Sequence, residues 1–100
     1  MKKAKLKELI PSKVRITRDV SYEVLFVDEF TDTKQVGECR FEHQQIVIKN
    51  GLSDSECYKT YLHELFHSFS FEYPGLNLTE KQVMLLEDAF YRYERLNKII

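Results

Sequence analysis

Past Asn50-Gly51 the apolar residues of this chain change their spacing, and that change limits the folds open to it. Upstream, Val14 and Ile16 alternate with charged neighbours, and Val20 to Val27 is rich in β-branched and aromatic residues, the profile of strands on a half-buried sheet. Downstream, Tyr58, Tyr61, Leu62, Leu65 and Phe69 recur at steps of three and four, which marks one buried stripe of a helix. Strands followed by helices, rather than alternating with them, predict an α+β domain with its helices on one side of a small, antiparallel-rich sheet.

Turn chemistry divides the two halves further. The polar stretch Asp28 to Gln35 separates the first strands from a second pair, Val36 to Phe41 and Gln45 to Ile48, joined by a polar tip at Glu42-His43-Gln44. This reads as a hairpin ending at the Asn50-Gly51 turn. Ser53 or Asp54 caps the first helix, with Glu56 placed to complete a capping box with Ser53. That helix should stop near Tyr73-Pro74-Gly75, since proline cannot continue it. Thr79 with Gln82 caps a second helix, whose inner face is predicted as Val83, Leu86, Phe90 and Leu96.

At 100 residues the chain has the size of one domain, residues 1–100. A content of 43% hydrophobic residues supplies a core without staples, and no apolar run approaches the roughly 18 residues of a membrane span. Cys39 and Cys57 are too few for a disulfide framework and read as packed free thiols in a reducing, cytoplasmic setting. Net charge is −1, so no overall field holds nucleic acid. Seven of 15 basic residues do cluster early, at Lys2, Lys3, Lys5, Lys7, Lys13, Arg15 and Arg18. Without interleaved aromatics they read as a solvated arm rather than a phosphate-binding surface.

Within the first helix stands His63-Glu64-Leu65-Phe66-His67. Histidines four apart share one helix face, so both imidazoles can reach one tetrahedral zinc, and the Glu beside the first can reach a water in the open position. That combination suits peptide hydrolysis, with Glu64 as general base. On a helical wheel Glu56, Thr60, His63, His67 and Ser70 form a polar face beside the apolar stripe, whereas Cys57 lies about 120° from the ligand face. A third protein ligand should come from the second helix, where Glu80 and Glu87 are seven apart and face the same way. Two geometries compete. A tight helical pair puts Glu87 level with His67, whereas early fraying after Phe69 brings Glu80 within reach.

The stretch from Tyr61 to Phe90, YLHELFHSFSFEYPGLNLTEKQVMLLEDAF, resembles the small zincin-type metallopeptidases of bacteria and their phages, related to the ImmA/IrrE and SprT-like groups. In those proteins the motif helix is followed by a short loop, a phrase like L-x-L-S-E-E-Q-V, and a helix whose first Glu completes the site. Gly37-Glu38-Cys39 with Gln45 to Ile48 is similar to their edge hairpin, so the likeness covers roughly residues 14–97. It implies a minimal zincin-like domain acting on a peptide or protein substrate in the cytoplasm of a bacterial or phage-infected cell. His63, His67 and Glu80 are implied as zinc ligands, Glu64 as the base and Glu87 as the reserve ligand. It also implies that Gln45 to Lys49 is a sheet edge where substrate adds as a strand, with Ile46 and Ile48 turned inward. For the oxyanion-stabilising role the candidates are Tyr91, His43 and Tyr73. The rival reading from another class is a non-catalytic zincin-fold binding module with a structural zinc.

Overall fold

The computed structural model describes residues 5–100, so Lys2 and Lys3 of the basic arm lie outside the described residues. Four strands, β1 (Lys13–Arg15), β2 (Ser21–Val27), β3 (Gly37–Arg40) and β4 (Gln45–Lys49), precede two helices, α1 (Asp54–Glu72) and α2 (Glu80–Leu96). The α+β reading holds. The sheet order is β1-β2-β4-β3, with antiparallel pairs at both ends and a parallel β2–β4 pair in the middle.

That order corrects one expectation. Gln45 to Lys49 is an inner strand, hydrogen-bonded on both sides, and β3 is the edge beside α1. Ile46 and Ile48 do turn inward and are fully buried, but Val47 is fully buried as well. A strand covered on both faces loses the alternation by which an edge strand is recognised. The polar tip is a short 3-10 turn, Phe41–His43, closed by Gln44 at a left-handed φ of 52°.

Helix α1 lies on the sheet and closes the core with Tyr58, Tyr61 and Leu62 against Tyr22, Val24, Ile46 and Ile48. Its N-terminus is capped by Ser53, which accepts from the Glu56 amide at 3.2 Å. The reciprocal half of the expected box is replaced by the Ser53 hydroxyl donating to the Glu56 carboxylate at 2.8 Å. Helix α2 starts with a complete Thr79–Gln82 capping box. It rests mainly on α1 rather than on the sheet.

The inner face of α2 is correspondingly different from the predicted one. Val83 is fully buried, but Leu86, Phe90 and Leu96 are exposed. Glu94 turns inward instead and accepts hydrogen bonds from the Tyr58 hydroxyl at 3.0 and 3.2 Å. The arm also departs from a solvated tail, because Leu6–Leu9 forms a 3-10 turn whose Leu6 packs on the core, with Lys7 over the Phe26 ring. Among the described residues no helix is long and apolar enough to cross a membrane.

Candidate metal centre

The stripe that buries Tyr58, Tyr61 and Leu62 leaves the adjoining face of α1 turned toward α2. His63 and His67, one turn apart on that face, bring their Nε2 atoms to 3.2 Å. The loop after Tyr73 reverses the chain. Leu78 N–H donates to Ser70 Oγ at 2.8 Å, which ties the loop to α1 just ahead of the Thr79 cap. The first residue of α2 then reaches both imidazoles: Glu80 Oε1 lies 2.8 Å from His63 Nε2 and Oε2 2.8 Å from His67 Nε2.

Neither geometry expected from the sequence is realised as stated. Helix α1 does not fray after Phe69, since it continues to Glu72, yet Glu80 is the carboxylate that spans the His pair. Glu87 is placed behind it, with Oε1 2.9 Å from His63 Nδ1 and Oε2 3.9 Å from Lys59 Nζ. Both carboxylates therefore touch His63, one at each ring nitrogen.

The chemistry of these donors fits a divalent cation. A carboxylate only accepts, so Glu87 keeps the proton of neutral His63 on Nδ1 and leaves a lone pair on Nε2. That lone pair faces the Glu80 carboxylate at 2.8 Å, which is acceptor against acceptor. Protons on both Nε2 atoms would set two N–H groups against each other at 3.2 Å; a cation satisfies both nitrogens and the carboxylate together. Two nitrogens on one tetrahedral zinc lie roughly 3.3 Å apart, close to the spacing found. Ligand atoms of His63, His67 and Glu80 all fall within 4.8 Å of one another.

Glu64 is not part of this cluster. It is buried under β3, and burial pushes its carboxyl up to about 7, with His63 pulling it down and Glu80, Glu38 and Glu87 adding to the rise. Gly37 makes the burial possible: a Cβ there would stand 2.5 Å from Thr60 Cγ2 and 2.9 Å from Glu64 Oε2. Two clefts of about 400 and 340 Å³ share Gly37, His63 and Glu64 as a common wall.

The edge above them is open. Lys49 N–H donates to Val36 O at 2.9 Å and Gly37 stands opposite Ile48, so the antiparallel alternation turns the N–H and C=O of Gly37 and Cys39 away from β4.

None of the oxyanion candidates from the sequence lines either cleft. Tyr91 packs against Tyr58 under the Lys59 and Arg95 cations, Tyr73 donates to Ile16 O at 2.9 Å, and His43 sits on the hairpin turn. Sequence reasoning missed four side chains that do line the smaller cleft, Gln35, Glu38, Cys39 and Phe41. Cys57 is a packed thiol as expected. Cys39 is only half-buried, and its thiol is pushed up to about 12 by burial and then by Glu64 and Glu72. Gln35 carried no signal, since it lies in a polar loop with no motif. No family model matches the chain, and the searches of curated proteins and of solved structures returned no match.

Proposed function

We propose that this chain is a zinc-dependent peptidase of the zincin type, in which Glu64 acts as general base. The observation that carries the reading is the convergence of His63, His67 and Glu80 on one point beside a buried carboxylate that stays out of the cluster. A purely structural site has no use for such a carboxylate. His63, His67 and Glu80 would hold the ion, which supplies a Lewis acid and lowers the pKa of its water toward 7.

The remaining work falls to residues of this chain. Glu87, itself held near Lys59, accepts from His63 Nδ1, and this fixes the tautomer and the ring. Glu64 takes the proton of the attacking water and delivers it to the leaving amine. The outward N–H of Gly37 and the outward N–H and C=O of Cys39 pair with an extended substrate, the role expected of Gln45 to Lys49 and here proposed for β3. The two unpaired cysteines suit a reducing, cytoplasmic compartment.

One observation favours the non-catalytic module. With His63 protonated, Glu80 and Glu87 form ion pairs that hold the helices together without an ion. Metal analysis of untagged protein separates the two, with about one zinc per chain expected. Peptidase activity is then read by mass spectrometry of new termini in an unfolded protein and a peptide mixture. Glu64→Gln should keep its zinc and lose about 100- to 10,000-fold in rate. Cleavage that survives in this variant, or zinc-free wild type, would overturn the peptidase reading.

A further inference from the structure

We propose that Gln35 is a catalytic residue that donates a hydrogen bond to the scissile carbonyl oxygen as negative charge develops on it; this rests on the peptidase reading above. Hydrolysis through Glu64 builds charge on that oxygen, and a site that leaves it to water forgoes one of the larger contributions to rate. Gln35 lines the same cleft as His63, Glu64, His67 and Glu80. The rest of that lining is short of donors. Glu38, Glu64 and Glu80 accept, Phe41 has no polar atom, and the Cys39 thiol is a weak donor. The His63 and His67 rings are committed to the metal, so among the remaining side chains of this lining the Gln35 amide is the strong neutral donor.

Its position on the edge strengthens the assignment. Gln35 Nε2 donates to Gly37 O at 3.0 Å, and the carbonyl of Gly37 points to the open side of β3. A primary amide has two N–H groups. One holds this carbonyl, and the other has no partner among the described residues, on an amide that sits at the edge where an added peptide strand would run. The amide is also held in place before substrate arrives, because the preceding turn is pinned twice: Gln35 N–H donates to Asp32 O at 3.1 Å and Lys34 N–H to Asp32 Oδ1 at 3.0 Å. Donors fixed in advance need no reorganisation when charge appears. An amide does not titrate, so this role differs in kind from that of a Tyr or His at the same point.

Acetohydroxamate tests the assignment without a known substrate, because it needs no side-chain subsites and places a carbonyl oxygen at the metal. Its affinity for zinc-loaded protein is measured by calorimetry for wild type, Gln35→Leu and Gln35→Lys, with zinc content and melting temperature recorded for each. Loss of one hydrogen bond to a charged oxygen should weaken binding about 10- to 100-fold in Gln35→Leu. Gln35→Lys, which keeps an N–H donor, should stay near wild type, and all three should hold one zinc. Should Gln35→Leu lose its fold or its zinc, Gln35→Glu, of equal length but without an N–H, is read in its place. Undiminished affinity in the donor-free variant overturns the role of Gln35. Wild type that takes no zinc, or takes zinc and does not bind the hydroxamate, overturns the peptidase reading and this inference with it.

Discussion

Replacing Gly37 by alanine puts a methyl group into a close approach between β3 and α1. The added Cβ would meet Thr60 Cγ2 at 2.5 Å, Glu64 Oε2 at 2.9 Å and Glu64 Cγ at 3.3 Å. Carbon atoms pack best at about 3.5 to 4.0 Å, so strand and helix must part by roughly 1 Å at Thr60. The glutamate can swing aside, but Thr60 is β-branched, buried and in mid-helix, where few rotamers are open. Overpacking of this kind costs about 1 to 3 kcal/mol, and the 2.5 Å contact places the variant in the upper part of that range. The lower entropy of an alanine-containing unfolded chain offsets about 0.4 to 1 kcal/mol. A net loss of about 2 kcal/mol lowers Tm by roughly 8 to 16 °C in a domain of this size. Thermal unfolding in EDTA, followed by circular dichroism, isolates this effect from any metal. Thr60→Ser removes the offending Cγ2, so the double variant should recover more than half of the loss. A fall below about 2 °C in Gly37→Ala, or no recovery in the double variant, would refute the close-approach argument.

Glu80→Gln should weaken zinc binding more than Glu87→Gln, whose loss should stay within the roughly 10- to 100-fold typical of a partner behind a ligand; chelator competition giving the reverse order would make Glu87 the ligand. Tyr58→Phe strands the buried Glu94 carboxylate and should cost about 1 to 3 kcal/mol in urea unfolding, so an unchanged midpoint would mean that Glu94 finds another partner. Cys39 and Tyr61 are both raised by burial to about 12, so above pH 9 the unfolded chain loses protons that the folded chain keeps. Stability is then full below the ordinary thiol value and falls as pH rises from about 9 toward 12. Urea midpoints between pH 8 and 11 check this, with a shallower decline expected in Cys39→Ala and a flat profile in wild type counting against it.

Much of the architecture can be read from local pattern. Strand and helix positions, the hairpin tip, the Thr79–Gln82 box and the stop at Tyr73 each depend on neighbours within a few residues, where period, capping and proline geometry act. The pairing of His63 with His67 has the same origin, since a helix repeat alone brings residues four apart together. Helical period also put Glu80 and Glu87 on one face, but it could not say how far along α1 that face would land.

Other features depend on contacts that no local pattern encodes. Strand order belongs to this class: a parallel β2–β4 pair moves Gln45 to Lys49 inside, where three successive residues are buried, and β3 to the rim. The exchange on α2, with Glu94 in and Leu86, Phe90 and Leu96 out, arises because α2 docks on α1 through a face chosen by the Tyr58 hydroxyl and Val83 rather than by hydrophobicity alone. Gln35 joins the cleft through an amide that turns onto the Gly37 carbonyl two residues on, a contact no motif announces. By itself the sequence determined the elements and the His63–Glu64–His67 motif, which are local. Only the tertiary structure decided which carboxylate stands at which ring nitrogen, because this is set by the seven-residue path from Tyr73 to Thr79 and by the packing of two helices across it.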